Sequence, residues 1–369
     1  MTTTNAFRAD QVGSLRRPDT LLEARARANN PEELRRLEDR AILDALERQR
    51  ATGIPIFVDG EFRRAGFMTG FPSNVSGFIH GAAVATPWRG GTGEEGASPN
   101  TQLLIGDKVR ATGRIAADEA RFLAEHAPGP FKITLPSPVN FAFLMWRKGV
   151  SDAAYPTPSD FLVDAAAILA GEVAQLAAEG VPYVQLDAPT YTHWADDTLK
   201  AGYREAGFDL DTFLADAIAS ENAILDAVPG DVLTGVHLCR GNSVGRWLAE
   251  GGYDAMAERL FAELRCDRLL LEYDDARSGT FAPLRFVPED KVVVLGLVTT
   301  KRGRLESRDE VLRRIEEASR YVPLERLALS PQCGFASSGR SNPISEDEQW
   351  RKLELVVDVA DEVWSAVRA

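Results

Sequence analysis

The sequence predicts an α/β fold, a TIM-type (β/α)8 barrel with an insertion after the second strand. Three observations lead there. Short apolar runs recur along the chain, each followed by a longer Ala/Leu/Glu/Arg stretch of helical period, and residues able to do chemistry collect where the runs end. Eight such units fill 369 residues, a length that one (β/α)8 unit can occupy. The runs are nearly continuous in Val, Ile and Leu, as strands covered on both faces should be. A doubly wound open sheet is the alternative that the same alternation allows.

The first strand is weak and ends at Gly13-Ser14-Leu15. A helix over 31–53 opens with Pro31 in its first turn and stops at Gly53. The second strand is GIPIFVDGE (53–61). Residues 66–130, rich in Gly, Pro and Ser, are too long for a simple loop and read as an insertion over the barrel mouth. The third strand, PFKITLPSP (130–138), and the fourth, VPYVQLDAP (181–189), flank a helix over 159–180 with Ser159 as N-cap. DVLTGVHLC (231–239), CDRLLLEYDD (266–275) and KVVVLGLVTTK (291–301) supply the fifth to seventh strands. A helix over 307–323 begins with a Ser307–Glu310 capping-box pattern and stops before Pro323, and ERLALSPQCG (325–334) is the eighth strand. With no repeat and no linker, residues 1–369 read as one domain.

Composition excludes several functions. The 42 Lys+Arg against 55 Asp+Glu give a net charge of −13, which argues against nucleic-acid and anionic-membrane partners. No unbroken apolar run reaches the roughly 18 residues of a membrane helix, and the first residues carry no apolar secretory segment. Cys239, Cys266 and Cys333, an odd number, do not make a paired disulfide framework. The expected setting is the cytoplasm, with these cysteines metal-binding, catalytic or inert.

In a barrel the active site is built where strands end. Ser14, Asp59, Glu61, Asp187, His237, Cys239, Glu272 and Cys333 all fall there. The two-residue spacing of His237 and Cys239 puts both side chains on one side of an extended chain. With Glu272 and Cys333 from other strands, one imidazole, two thiolates and a carboxylate can converge as a tetrahedral Zn2+ set. Glu272 lies in an apolar strand, where a carboxylate needs a partner or a metal. Cys266 reads as an inert small hydrophobe.

The segments QVGSLRRP (11–18), VDGEFRR (58–64), VQLDAP (184–189), GVHLCRGN (235–242), LLLEYDD (269–275), VVLGLVTTK (293–301) and LALSPQCGFAS (327–337) together resemble the catalytic barrel of cobalamin-independent methionine synthase and its short single-barrel relatives. The resemblance implies zinc held by His237, Cys239, Glu272 and Cys333, and a thiol-substrate site formed by the backbone around Gly13 and Ser14. It also implies that Glu61 and Asp187 grip the ammonium of homocysteine. Two departures stand out: the family's additional N-terminal barrel has no counterpart here, and the strand-seven loop reads Thr299-Thr300-Lys301, where the family has a histidine that protonates the folate nitrogen.

The reading is a zinc-dependent thiol S-alkyltransferase acting in methionine biosynthesis. Methyl transfer to homocysteine or a similar thiol, from a donor other than folate polyglutamate, is the favoured reaction. An epoxyalkane:coenzyme M transferase is the alternative, and Lys301 or Asp274 would then be the acid. Expected partners are a small-molecule thiol and an alkyl donor, and a homo-oligomer is compatible with the sequence. Arg16, Arg17, Arg63 and Arg64 flank the carboxylates and could screen them for an anionic thiol. His193, after the fourth strand, reads as an exposed residue that could reach the mouth.

Overall fold

The computed structural model describes residues 7–27, 30–83, 87–90, 101–337 and 341–365. An antiparallel hairpin of β1 (Val75–Ala82) and β2 (Thr101–Ala111) stands apart from a parallel sheet. The sheet comprises β3 (Ile133–Pro136), β4 (Tyr183–Asp187), β5 (Leu233–Leu238), β6 (Arg268–Glu272), β7 (Val292–Val298) and β8 (Leu327–Pro331), in that spatial order. Every residue of these six strands is buried, which explains their continuous apolar character. Register aligns Pro136 with Asp187 and Asp187 with His237, so the polar residues at strand ends become lateral neighbours.

Two of the eight expected strands are reduced to single bridges. Ala9, a few residues before the expected strand end at 13–15, pairs in parallel with Leu329 of β8, and Phe57 pairs in parallel with Phe131 just before β3. Pro55 has no N–H to give a ladder. Gly60 and Glu61, at φ 68° and 58°, turn the chain out of extended geometry. The two segments also meet each other, since Leu15 N donates to Gly60 O at 3.1 Å and Gln11 Nε2 to Ile56 O at 2.8 Å.

The helices follow their sequence signals closely. Pro31–Thr52 is capped by Asn30, whose side chain accepts from Glu32 and Glu33 N–H, and ends on Gly53 at φ 78°. Pro158–Ala178 is capped by Thr157 rather than Ser159; Thr157 and Asp160 form the reciprocal capping box, and Pro158 takes the first helical position. This helix is long and apolar enough by length and composition to cross a membrane, with mean hydropathy 1.6 over a window 44% buried in the protein. Its apolarity is an average: Asp160, Asp164 and Glu172 interrupt it, and its buried face runs Phe161, Leu162, Ala165, Leu169, Val173 and Leu176. Arg308–Ser319 is capped by Ser307, which accepts from Glu310 N at 3.2 Å.

Within 66–130, Gly70–Asn74, the hairpin and the helix Ala117–His126 lie in the described residues, whereas 84–86 and 91–100 lie outside them. The hairpin is tied down by Val109 N donating to Tyr155 Oη (2.8 Å) and Ser151 Oγ donating to Ile105 O (2.6 Å). Phe71 stacks on Phe141 at 4.7 Å, and Phe143 packs among Trp194, Tyr203, Phe208 and Phe213. Such ring pairs contribute about 0.5–1.5 kcal/mol each beyond area burial, enough to make the loops after β3 and β4 a firm wall.

Candidate active site

The sheet delivers polar side chains to one end of a cavity of about 190 Å3. Ser14, Glu61, Asp187, His237, Cys239 and Cys333 line it, facing an apolar side that includes Phe67, Met68, Trp88, Leu144 and Leu248. His237 is the penultimate residue of β5, Cys239 lies just past it, and Cys333 lies two residues past β8. Their ligand atoms lie within 4.8 Å of one another, with the two sulfurs 3.6 Å apart. All three cysteines are free. Flat strands at ~4.8 Å spacing would hold β5 and β8 ~14 Å apart; a strongly curved sheet explains the convergence.

Both ring nitrogens of His237 are buried without a hydrogen-bond partner among the described residues, a costly arrangement for an imidazole. Contact with Cys239, and then His237, holds the Cys333 thiol well below the ordinary cysteine range, while the same contact pushes Cys239 up. One nitrogen and two sulfurs converging at a cavity wall, with the imidazole unpaired, fit a borderline-soft divalent metal such as Zn2+. Cys266 sits elsewhere in the core, its thiol pushed up to about 12 by burial.

Glu272 is fully buried but stands outside this group of three. Its Oε2 accepts from Arg240 N at 2.5 Å and its Oε1 from Arg277 Nη2 at 3.1 Å, so both oxygens are engaged. Arg277 also holds Asp274 at 2.9 Å and Asp275 at 2.7 Å. Burial first, and then Glu272, push Asp274 up to about 7, and its Oδ2 has no partner. Lys301 Nζ donates to Gly241 O at 2.8 Å. Neither Lys301 nor Asp274 lines the cavity.

The carboxylates that share the cavity with His237, Cys239 and Cys333 are held with care. Glu61 occupies the left-handed region at φ 58°, a strained conformation of the kind that clusters at functional sites. Asp59 Oδ1 accepts from Glu61 N at 3.0 Å, and Thr134 Oγ1 donates to Glu61 Oε1 at 3.0 Å, while Oε2 is buried and unpartnered. Gly13 is required beside it, since an added Cβ would stand 2.8 Å from Thr134 Cγ2 and 3.2 Å from Glu61 Oε1. Asp187 accepts from Gln185 Nε2 at 2.7 Å. Burial pushes it up to about 7, opposed by His237 and assisted by Glu61.

Two residues that the sequence reading names have parts that it leaves open. Arg17 is fully buried and donates to the carbonyls of Glu61, Arg64 and Ala336, so it clamps the strained turn instead of screening the cavity. Arg64 is likewise spent on Glu119 and Thr134, and Arg63 on Asp39. His193 is 3% exposed and lines the cavity, contrary to the expected exposure. Its place just after the fourth strand was the signal that it could reach the mouth.

The profile of the cobalamin-independent synthase catalytic domain matches residues 13–362. The chain belongs to this family. Among its relatives, YxjG of Bacillus subtilis is 38% identical over 374 residues, covering 97% of this chain and 95% of that one. The methionine synthase of Pyrococcus abyssi is 25% identical over 333 residues, covering 88% and 85%. A solved structure of a candidate vitamin-B12-independent methionine synthase from Listeria monocytogenes superposes with TM-score 0.73 at 30% identity, covering 97% and 98%. The six-stranded parallel α/β architecture is thus that of the cobalamin-independent synthase catalytic domain, a methyltransferase family.

Proposed function

We propose that this cobalamin-independent synthase relative is a zinc-dependent S-methyltransferase acting on homocysteine or a similar amino-acid thiol. One observation carries the reading: the His237–Cys239–Cys333 group and the carboxylates Glu61 and Asp187 open onto one cavity. When bound, Zn2+ would supply deprotonation of the substrate thiol, which is otherwise mostly protonated at neutral pH. His237, Cys239 and Cys333 would hold it, with Glu272 the fourth residue once released from Arg277. Glu61 and Asp187 bind the substrate ammonium, a group that needs carboxylate partners in a low-dielectric pocket. The backbone of Gly13 and Ser14 forms the adjoining wall. The fold is proposed as a single closed (β/α)8 barrel, which the bridges at both sheet edges and the β5–β8 convergence support, with 66–130 inserted over its mouth. The compartment is the cytoplasm, where free thiols persist.

The methyl donor is proposed to be other than folate polyglutamate. The strand-seven Thr299-Thr300-Lys301 carries no histidine, and Thr300 is turned to Gln332 and Gly334. The cavity is also smaller than the ~300–1,000 Å3 of sites for larger ligands. The methionine-synthase names of relatives support methyl transfer over epoxide opening. Metal analysis followed by calorimetric titration with homocysteine and with coenzyme M tests the reading. About one zinc per chain and preference for homocysteine are expected; a metal-free protein, or tighter binding of coenzyme M, would overturn it.

A further inference from the structure

We propose that His193 donates a hydrogen bond from Nε2 to the atom that departs from the transferred methyl group, with Tyr203 fixing the imidazole tautomer. The inference rests on the methyl-transfer reading above. The titratable residues lining the cavity are Glu61, Asp187, His193, His237, Cys239 and Cys333. Five have roles toward the metal or the ammonium, and His193 alone is left over.

Its placement is firm on both sides. His193 lies in the 3-10 segment Pro189–Ala195 that follows β4. Thr192 Oγ1 donates to Cys239 O at 2.9 Å, tying the preceding residue to a residue of the metal group. Trp194 Nε1 donates to Leu210 O at 3.1 Å, anchoring the following residue to the start of the helix Leu210–Leu225. The ring stacks on Tyr203 at 5.7 Å and 12°, and Phe143 packs at 5.5 Å.

Tyr203 Oη lies 2.9 Å from His193 Nδ1. In the proposed arrangement the phenol O–H donates to Nδ1, which leaves the ring hydrogen on Nε2, the nitrogen that the phenol does not hold. Burial pushes His193 down to about 3, with only Asp196 opposing, so the ring is neutral. A neutral imidazole N–H in a buried wall is an effective donor to charge that develops during reaction, because it is already oriented.

The exchange balances as thiol plus methyl donor giving thioether plus protonated leaving group. A sulfur lone pair forms the S–C bond, and the broken bond's pair stays on the departing atom. The proton surrendered by the thiol returns to that atom through water at the cavity mouth. His193 stabilises the pair throughout and ends unchanged.

The test compares two donors on metal-loaded enzyme with bound homocysteine. Methyl iodide expels a leaving group that needs no hydrogen bond, whereas monoglutamyl methyltetrahydrofolate, measured in single turnovers, expels a basic nitrogen. His193→Leu should slow folate-supported methylation by about 100-fold and iodide-supported methylation by less than about 3-fold. Zinc content and homocysteine affinity should be unchanged. Tyr203→Phe should show a smaller loss of the same donor selectivity. Independently, 15N-histidine NMR, assigned by difference among the four histidines, should show His193 as the Nε2–H tautomer in wild type and as a tautomer mixture in Tyr203→Phe. Equal losses with both donors, no loss with either, or an Nδ1–H tautomer in wild type would each overturn the proposal. A wild type that methylates homocysteine from methyl iodide but not from the folate would also overturn the proposal, and one that uses neither donor would instead fail the methyl-transfer reading, and the inference with it.

Discussion

At Lys132, just before β3, the buried ammonium is fully paired: Nζ donates to Asp10 Oδ1 at 2.8 Å, to Gln185 Oε1 at 2.7 Å and to Gln11 O. Around His237, one strand beyond β4, the polar atoms are left open: both imidazole nitrogens and Glu61 Oε2 lack partners among the described residues. The two regions are equally buried and touch through Gln185, which accepts from Lys132 and donates to Asp187. The difference teaches how to separate buried polar groups that hold a fold from those that await a ligand. A satisfied network fixes geometry, and an unsatisfied one in a native protein calls for an explanation. Here the first braces the second.

The comparison breaks most completely at the open cluster. Cys333→Ser or Cys239→Ser should reduce zinc from about one per chain to nearly none, while Cys266→Ser keeps it. The folded state should lose little, since the hydrogen-bond contacts of the sulfurs among the described residues are with each other and, for Cys333, with Ser337 Oγ at 3.5 Å. Inductively coupled plasma measurement of the metal and a urea melt report the two effects separately. Full zinc retention in both variants would remove the metal assignment.

The closed cluster should respond in the opposite sense. Lys132→Met leaves the Asp10 carboxylate to Gln11 N at 2.8 Å, Tyr183 Oη at 3.5 Å and the more distant charge of Arg268 at 3.5 Å, and takes a partner from Gln185. Breaking a buried pair in this way costs about 3–5 kcal/mol, read as a lower urea midpoint at unchanged slope. A loss below about 1 kcal/mol would mean that the pairing around Lys132 does not hold the sheet.

Where the two regions meet, a smaller and more selective effect is expected. Asp187→Asn should weaken homocysteine binding by about 30-fold, since truncating one partner of a desolvated charge pair costs roughly 2–5 kcal/mol. Zinc content should not change. Calorimetry on the zinc-loaded variant reads this directly, and unaltered affinity would move the ammonium site away from Asp187.

How much of this was legible in the sequence depends on whether a feature is local. VVVLGLV and LTGVHL announce buried parallel strands because both sheet faces are covered, and His237-x-Cys239 reads out through the two-residue period of a strand. The helix cap at Thr157 was missed in favour of Ser159, because three candidate caps crowd there and the proline at 158 decides between them. The pairing of Glu272 with Arg240 N and the Arg17 clamp on three carbonyls depend on chain segments meeting in space, which no spacing encodes. His193 sits in a 3-10 segment with no period to show which way it faces.

The last contrast is between carboxyls that await a cation and one that awaits nothing. Glu221, on the helix Leu210–Leu225, accepts from Ser137 Oγ through Oε1, and its Oε2 has no partner. Burial pushes it up to about 8, so the folded protein holds it protonated at neutral pH, whereas the unfolded chain ionises near the ordinary glutamate value of about 4.3. Between these values the native state binds more protons than the unfolded one, so this residue's contribution is full below about pH 4.3 and fades as pH rises toward 8. The slope is at most about 1.4 kcal/mol per pH unit. Asp187 and Asp274, both pushed up to about 7, act in the same direction, so wild type alone does not isolate Glu221. Glu221→Gln does: it keeps an acceptor for Ser137, cannot ionise, and should make urea midpoints at pH 5, 6.5 and 8 decline less steeply than in wild type. Parallel pH profiles for the two proteins would show that Glu221 ionises in the fold at little cost, and that an unpartnered buried oxygen is no guide there to a perturbed carboxyl.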